Sequence, residues 1–200
     1  MLGMALVLTT TLVTATDVFE PLKAKAVEVE SLQRLLQAYG GGCTSEDLVE
    51  KKECEERAKK EQAFFKGKLL HVNLGGGFER LMEPLETDPG QAGIILTPVF
   101  DVGAGLALTF AKPQKLDKDG NIMVGRMPVD GPLLDDTLMA SDIKRLIRTG
   151  QVMLEVVCQV KGPWSLARKG GEPVKGLEVQ VKAIRLSNRR GGKPIVSMTR

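Results

Sequence analysis

The chain has 200 residues, 42% hydrophobic and 26% charged, a composition that can bury a core and excludes a disordered polymer. Aromatic residues make up only 4%, with one Trp and one Tyr, which argues against a surface that stacks sugars or bases on exposed rings. The net charge of +3 is unevenly spread: residues 151–200 hold ten Lys and Arg against three Asp and Glu, whereas residues 16–66 and 67–150 each hold nine against eleven.

Met1 to Ala15 carries no charged side chain and ends Val13-Thr14-Ala15, small or β-branched at −3 and small at −1. That pattern reads as a secretory signal with a mature chain beginning near Thr16. The stretch has no Lys or Arg, and the alternative is a buried first strand or helix. A transmembrane anchor needs ~20 apolar residues, and Asp17 and Glu20 end this run early. No Cys lies near the cleavage site to carry a lipid. The expected location is periplasmic or secreted, with a signal peptide over 1–15, a helical hairpin over 16–66 and a β-rich domain over 67–200.

From Asp17 to Tyr39, apolar residues at Val18, Phe19, Leu22, Ala26, Val29, Leu32, Leu35, Leu36 and Tyr39 form a stripe with steps of three and four, which predicts one continuous helix. Asp17 is a fair N-cap, and Gly40-Gly41-Gly42 stops the helix. A second helix is expected from Thr44 or Ser45 to about Phe65, with a thin apolar face and Glu–Lys pairs at i and i+4, such as Glu55 to Lys59. Of the three cysteines, Cys43 and Cys54 form a plausible disulfide across a short loop in an oxidising compartment. Cys158, within Val156-Val157-Cys158-Gln159-Val160, reads as a buried small hydrophobe.

Strand patterns begin at Lys68 to Leu74. Ile94 to Phe100 and Leu106 to Phe110 flank Asp101-Val102-Gly103-Ala104-Gly105 as a hairpin, with Pro98 at an edge or bulge. Lys118-Asp119-Gly120-Asn121 is a turn, and Leu138 to Ile147 reads as a helix. Val152 to Val160 is a strand. Val174 to Leu186 alternates as a long strand whose slip in phase near Ala183 and Ile184 predicts a bulge. Arg189-Arg190-Gly191-Gly192 is a turn before a frayed tail.

The expected fold is α+β: an N-terminal helical pair, then a small antiparallel barrel or sheet with one inserted helix. Five strands with a helix between the third and fourth is the strand order of an OB-type barrel. The combination of a signal, a helical Cys43–Cys54 pair and a β-rich remainder resembles an uncharacterised family of exported bacterial proteins of about this length, and that resemblance implies no activity.

Motifs for chemistry are weak. Ser141-Asp142-Ile143-Lys144 matches S-x-x-K, but the S-D-N and K-T-G partners of that chemistry are missing. Asp117 to Asn121 lacks the ligand series and closing Glu of a calcium loop. Gly75-Gly76-Gly77 and Gly191-Gly192-Lys193 match no phosphate-binding loop. The only histidine, His71, lies on a predicted strand, and no zinc-ligand spacing is present. No cofactor is expected.

The best surface candidate is Lys161-Gly162-Pro163-Trp164-Ser165-Leu166-Ala167-Arg168-Lys169, expected as a loop joining two strands. Trp164 either faces a ligand or folds inward to plug the barrel, since an indole serves both uses. With Trp164, Arg168, Lys169, Arg185, Arg189 and Arg190 as a basic face, the expectation is a non-catalytic binding protein of the cell envelope. Its partner would be an anionic envelope component or a protein, and export argues against nucleic acid. The alternatives are an enzyme of unrecognised class, with His71 and acidic loop residues as first suspects, or a structural component docking through its N-terminal helix.

Overall fold

A computed structural model describes residues 16–40, 43, 46–75, 77–103 and 105–200. The expected signal segment and the expected helix start at Thr44 or Ser45 lie outside those residues. In chain order the elements are α1 (Glu20–Lys23), β1 (Val27–Glu28), α2 (Leu32–Gly40), α3 (Leu48–Phe65), β2 (Leu70–Gly75), a 3-10 turn (Glu79–Leu81), β3 (Met82–Pro84), β4 (Gln91–Leu96), β5 (Val99–Asp101), β6 (Leu106–Thr109), β7 (Lys115–Leu116), β8 (Ile122–Met123), β9 (Met127–Pro132), α4 (Ala140–Arg148), β10 (Val152–Leu166), β11 (Val174–Asn188) and β12 (Pro194–Thr199). The architecture is α+β, as expected.

The long hairpin β10–β11 is the spine of a mixed seven-stranded sheet ordered β1-β2-β10-β11-β6-β5, with β12 also on β11. Both β6 and β12 use the side of β11 that faces away from β10. Residues 175–178 pair parallel with β6, and residues 183–187 pair antiparallel with β12. β3-β4-β9 form a second sheet and β7-β8 a small hairpin. None of these sheets closes into a barrel among the described residues.

The predicted bulge lies on β11 at Lys182, where Val157 pairs with Ala183 but Cys158 pairs with Val181. One extra residue reverses which side chains face the core, because strand side chains alternate. Leu177, Val179 and Val181 point into the main core before the bulge, and Ile184 and Leu186 do so after it. Ala183 and Arg185 are thereby turned to the opposite face, which the chain N-terminal to α2 covers.

That covering segment departs from expectation. The predicted helix over Asp17–Tyr39 is interrupted: α1 ends at Lys23, β1 pairs parallel with β2, and α2 starts at Leu32. Val27 and Val29 donate their N–H groups to Leu69 and His71 carbonyls at 2.8 and 2.9 Å. Val27-Glu28-Val29 satisfies a strand alternation as well as a helical spacing, and the open edge of β2 decides between them. Ser31 then restarts the helix, its Oγ accepting from Arg34 N at 3.3 Å.

α2 buries Leu35, Leu36 and Ala38 against the sheet, whereas α3 has no buried residue among those described. Asp47 caps α3, accepting from Val49 N at 2.7 Å. The Cys43–Cys54 disulfide, with a Cα–Cα distance of 5.8 Å, ties the α2–α3 connection to α3. Arg34 pairs with Glu61, and Gln62 donates to the Ala38 carbonyl.

Two further expectations are corrected. Lys161 to Leu166 is not a loop but the second half of β10, so the connection is only residues 167–173. The tail is not frayed: Pro194–Thr199 forms β12, with Ile195 and Val196 fully buried. Pro98 marks the corner where the predicted Ile94–Phe100 strand divides between two sheets.

Trp164 explains why β10 continues. It is 5% exposed and sits opposite Gly176, which supplies the space its ring occupies. Across that gap its Nε1–H donates to Thr109 Oγ1 on β6 at 3.0 Å, so the indole plugs the sheet rather than facing solvent. A Cβ at Gly176 would lie 2.2 Å from both the Trp164 ring and the Ala107 carbonyl oxygen. Gly176→Ala is therefore expected to destabilise the fold by about 3 kcal/mol through overpacking against backbone, lowering Tm by roughly 10 °C in calorimetry. An unchanged Tm would mean the indole does not occupy that gap.

Candidate functional site

Two places gather charged side chains. The first is a buried cluster on the face of the sheet turned by the Lys182 bulge. β10 brings Glu155 directly across from Arg185 on β11, and diagonally from His71 on β2. The three are 2%, 8% and 3% exposed. Glu155 Oε2 accepts from Arg185 Nε at 2.9 Å and Nη2 at 2.8 Å. Its Oε1 accepts from Lys23 Nζ at 2.9 Å and contacts His71 Nε2 at 3.1 Å.

The covering segment supplies the remaining partners. Arg185 Nη1 donates to Asp17 Oδ2 at 3.1 Å and to Glu20. His71 Nδ1 meets Glu28. The guanidinium lies 4.6 Å from the centroid of Phe19, whose fully buried ring stands edge-on to His71. Every element of the cluster is thus fixed by a strand register or by the docked segment.

Burial would raise the Glu155 carboxyl, but hydrogen bonds from His71, Lys23 and Arg185 outweigh it and hold the group at about 2. Burial likewise opposes a charged His71, and the flanking Glu155 and Glu28 carboxylates overcome it and raise its pKa. The same balance favours the Arg185 guanidinium through Glu20, Glu155 and Asp17. A neutral-pH carboxylate this deep is stable only because it is fully paired.

The second place is a cleft of about 520 Å³ between the β7–β8 turn and the β10–β11 connection. Lys115, Lys118, Arg168 and Lys169 line it, along with Asp117 and Asp119. Asp117 is engaged internally, accepting from Asp119 N and Asn121 N at 2.8 Å and from Asn121 Nδ2 at 3.0 Å. Gly120 has φ +84°, and the Arg168 guanidinium lies against it so closely that a Cβ would be 3.0 Å from Nη2. None of the four cations makes an ion pair among the described residues.

The six residues read from the sequence as one basic face are therefore divided. Arg168 and Lys169 stand together at the cleft. Arg189 and Arg190 are exposed at the other end of the hairpin, up to about 50 Å away for strands of this length. Arg185 and Trp164 are buried and partnered inside the sheet. Lys115 and Lys118 flank a turn that the sequence shows, but no local signal places that turn beside Arg168 and Lys169. His71 meets two carboxylates and lines none of the five main surface clefts among the described residues. No group of three or more His, Cys, Asp or Glu among the described residues is arranged to hold a metal ion. No helix among them is long and apolar enough to cross a membrane.

The sequence model of a family of unknown function (DUF6066) matches residues 1–198. No curated protein and no solved structure matches the chain.

The cluster makes a signed prediction. Because the folded Glu155 carboxyl is depressed, its contribution is complete above the ordinary value of 4.5 and is lost as pH falls toward about 2. Glu155→Gln should destabilise the neutral protein by about 3 kcal/mol in urea unfolding, by stripping three cations of their partner. The difference from the parent protein should shrink as pH falls through that window. A constant difference would sever the effect from Glu155 ionisation.

Proposed function

We propose, for a chain that belongs to the DUF6066 family, a non-catalytic binding role in the bacterial cell envelope, with the cleft between the two turns receiving an anionic group of its partner. The observation that carries this reading is the set of four cations around one concave surface, outnumbering Asp117 and Asp119 there and making no ion pair among the described residues. Such a field draws and orients negative groups. Gly120 supports it by letting Arg168 lie flat on the opposite turn.

Export is part of the proposal. The uncharged Met1–Ala15 stretch, its Val13-Thr14-Ala15 ending and the Cys43–Cys54 disulfide support it, since disulfides persist in oxidising compartments. An OB-like arrangement also belongs to the proposal, supported by the single helix α4 inserted ahead of the long final strands.

The catalytic alternative loses support at His71. A general base must reach a substrate, and this ring is buried with both nitrogens engaged by carboxylates. The docking-helix alternative loses support at Phe19, Leu35 and Leu36, which the fold itself buries.

Binding of the purified mature chain to fluorescent polyglutamate and to polyphosphate tests the cleft. Arg168→Ser with Lys169→Ser should weaken binding about tenfold and flatten its dependence on salt, because exposed charges are screened beyond ~8 Å at physiological ionic strength. Arg189→Ser with Arg190→Ser should leave binding unchanged. Equal losses from the two pairs would replace the cleft with general basicity, and no binding to either polymer would end the anionic reading. Intact mass of the chain from fractionated native cells tests export: the expected product starts near Thr16, outside the cytoplasm, with one disulfide and one free thiol.

A further inference from the structure

We propose that the β1 segment is a latch that opens as pH rises: charged His71 clips Glu28, and with it β1, to the sheet, and neutral His71 lets Glu28 go while the rest of the covering segment stays docked. The inference is independent of the anion cleft and rests on how the ring is surrounded.

Both nitrogens of His71 face carboxylates, Nδ1 toward Glu28 and Nε2 toward Glu155. An imidazolium donates from both nitrogens, whereas a neutral ring has one N–H and one lone pair. Only the charged ring can satisfy both neighbours. After one proton leaves, a lone pair must face a carboxylate oxygen on one side.

The two sides are unequal. Glu155 is 3% exposed at its side chain and is pinned by Arg185 and Lys23, so it cannot turn away and keeps the remaining N–H. The Glu28 side chain is 57% exposed and has water within reach. Deprotonation therefore breaks the contact to β1 and preserves the contact to β10.

Charged groups reach His71 from every element packed on it. Glu28 of β1 and Glu155 of β10 favour its proton, and Lys23 of α1 opposes it. Arg185 of β11 lies one step away, behind Glu155, and is itself balanced by Asp17 and Glu20. The carboxylates prevail, so the folded ring holds its proton more firmly than the ordinary value of 6.5. The clip is complete below that value and fades as pH rises through the folded pKa.

Besides the clip, β1 is held by the Val29 side chain, 7% exposed at the margin of the main core, and by its backbone pairing. It is a two-residue strand at the edge of the sheet, joined by the N–H groups of Val27 and Val29. Asp17, Phe19, Glu20 and Lys23 retain Arg185 and Glu155 as anchors, so opening stops near Ala24. Val27, Glu28 and Val29 also wall a groove of about 680 Å³ against Arg34 of α2 and Phe64 of α3, and this wall moves when the latch opens.

Hydrogen–deuterium exchange on the full mature chain, corrected for intrinsic rates, reads the latch directly. The Val27 and Val29 amides should lose about tenfold in protection between about pH 6 and pH 9, with a midpoint matching the NMR titration of the single histidine. The amides of β10 and β11 should not change. In His71→Gln, protection at Val27 and Val29 should be low and independent of pH. Glu28→Gln, at an exposed side chain, should also abolish the pH dependence and serves if the histidine variant does not fold. Flat protection in the parent protein, loss shared by β10 and β11, or the same pH dependence in Glu28→Gln would overturn the proposal.

Discussion

A carboxylate buried at the centre of a sheet dictates its surroundings. Glu155, 2% exposed, would cost several kcal/mol if left unpaired in the interior. It needs cations from more than one direction, and the register supplies Arg185 across one strand boundary and His71 across the other. Those cations need counter-charges in turn. They come from Asp17, Glu20 and Glu28, all within the segment that precedes α2. The route of the N-terminal chain over the sheet is the solution to one charge in its middle.

The same requirement accounts for the bulge. Without an extra residue at Lys182, Arg185 would share the face of Leu177 and Val179 and project into the apolar core. The bulge puts Ile184 and Leu186 there instead and moves the guanidinium to the covered face. β11 can then serve β6 at one end and β12 at the other. The turns at the two ends of β11 are correspondingly far apart, and their basic residues belong to different surfaces.

Local signals were readable where they were self-contained. The bulge showed as a slip in the alternation around Ala183 and Ile184, the disulfide as two cysteines closing a short loop, and the Asp101–Gly105 hairpin as a turn between two apolar runs. What failed depended on distant chain. Val27-Glu28-Val29 fits a helix until the edge of β2 offers hydrogen bonds. Trp164 looks like a surface residue until Gly176 and Thr109 are brought beside it by strand pairing. Arg185 counted toward a basic tail, yet it is neutralised by Glu155 on the neighbouring strand and by Asp17 and Glu20, more than 160 residues earlier. One half of the candidate cleft, Arg168 and Lys169, was visible because a turn connecting two strands exposes its side chains whatever surrounds it.

α3 leads to a different consequence. None of its eighteen residues is fully buried and only Phe65, at its end, packs against the main core, so tertiary packing contributes little to the order of its first turns. Isolated helices of about this length are marginal in water. The arm must draw its persistence from its Asp47 cap, its contacts to α2 and the covalent tie at Cys54. Cutting that tie leaves the sheet's core intact while the arm's first turns lose their anchor. Oxidation of the Cys43–Cys54 pair is therefore felt in one peripheral helix, set apart from the sheet that encloses the free thiol of Cys158.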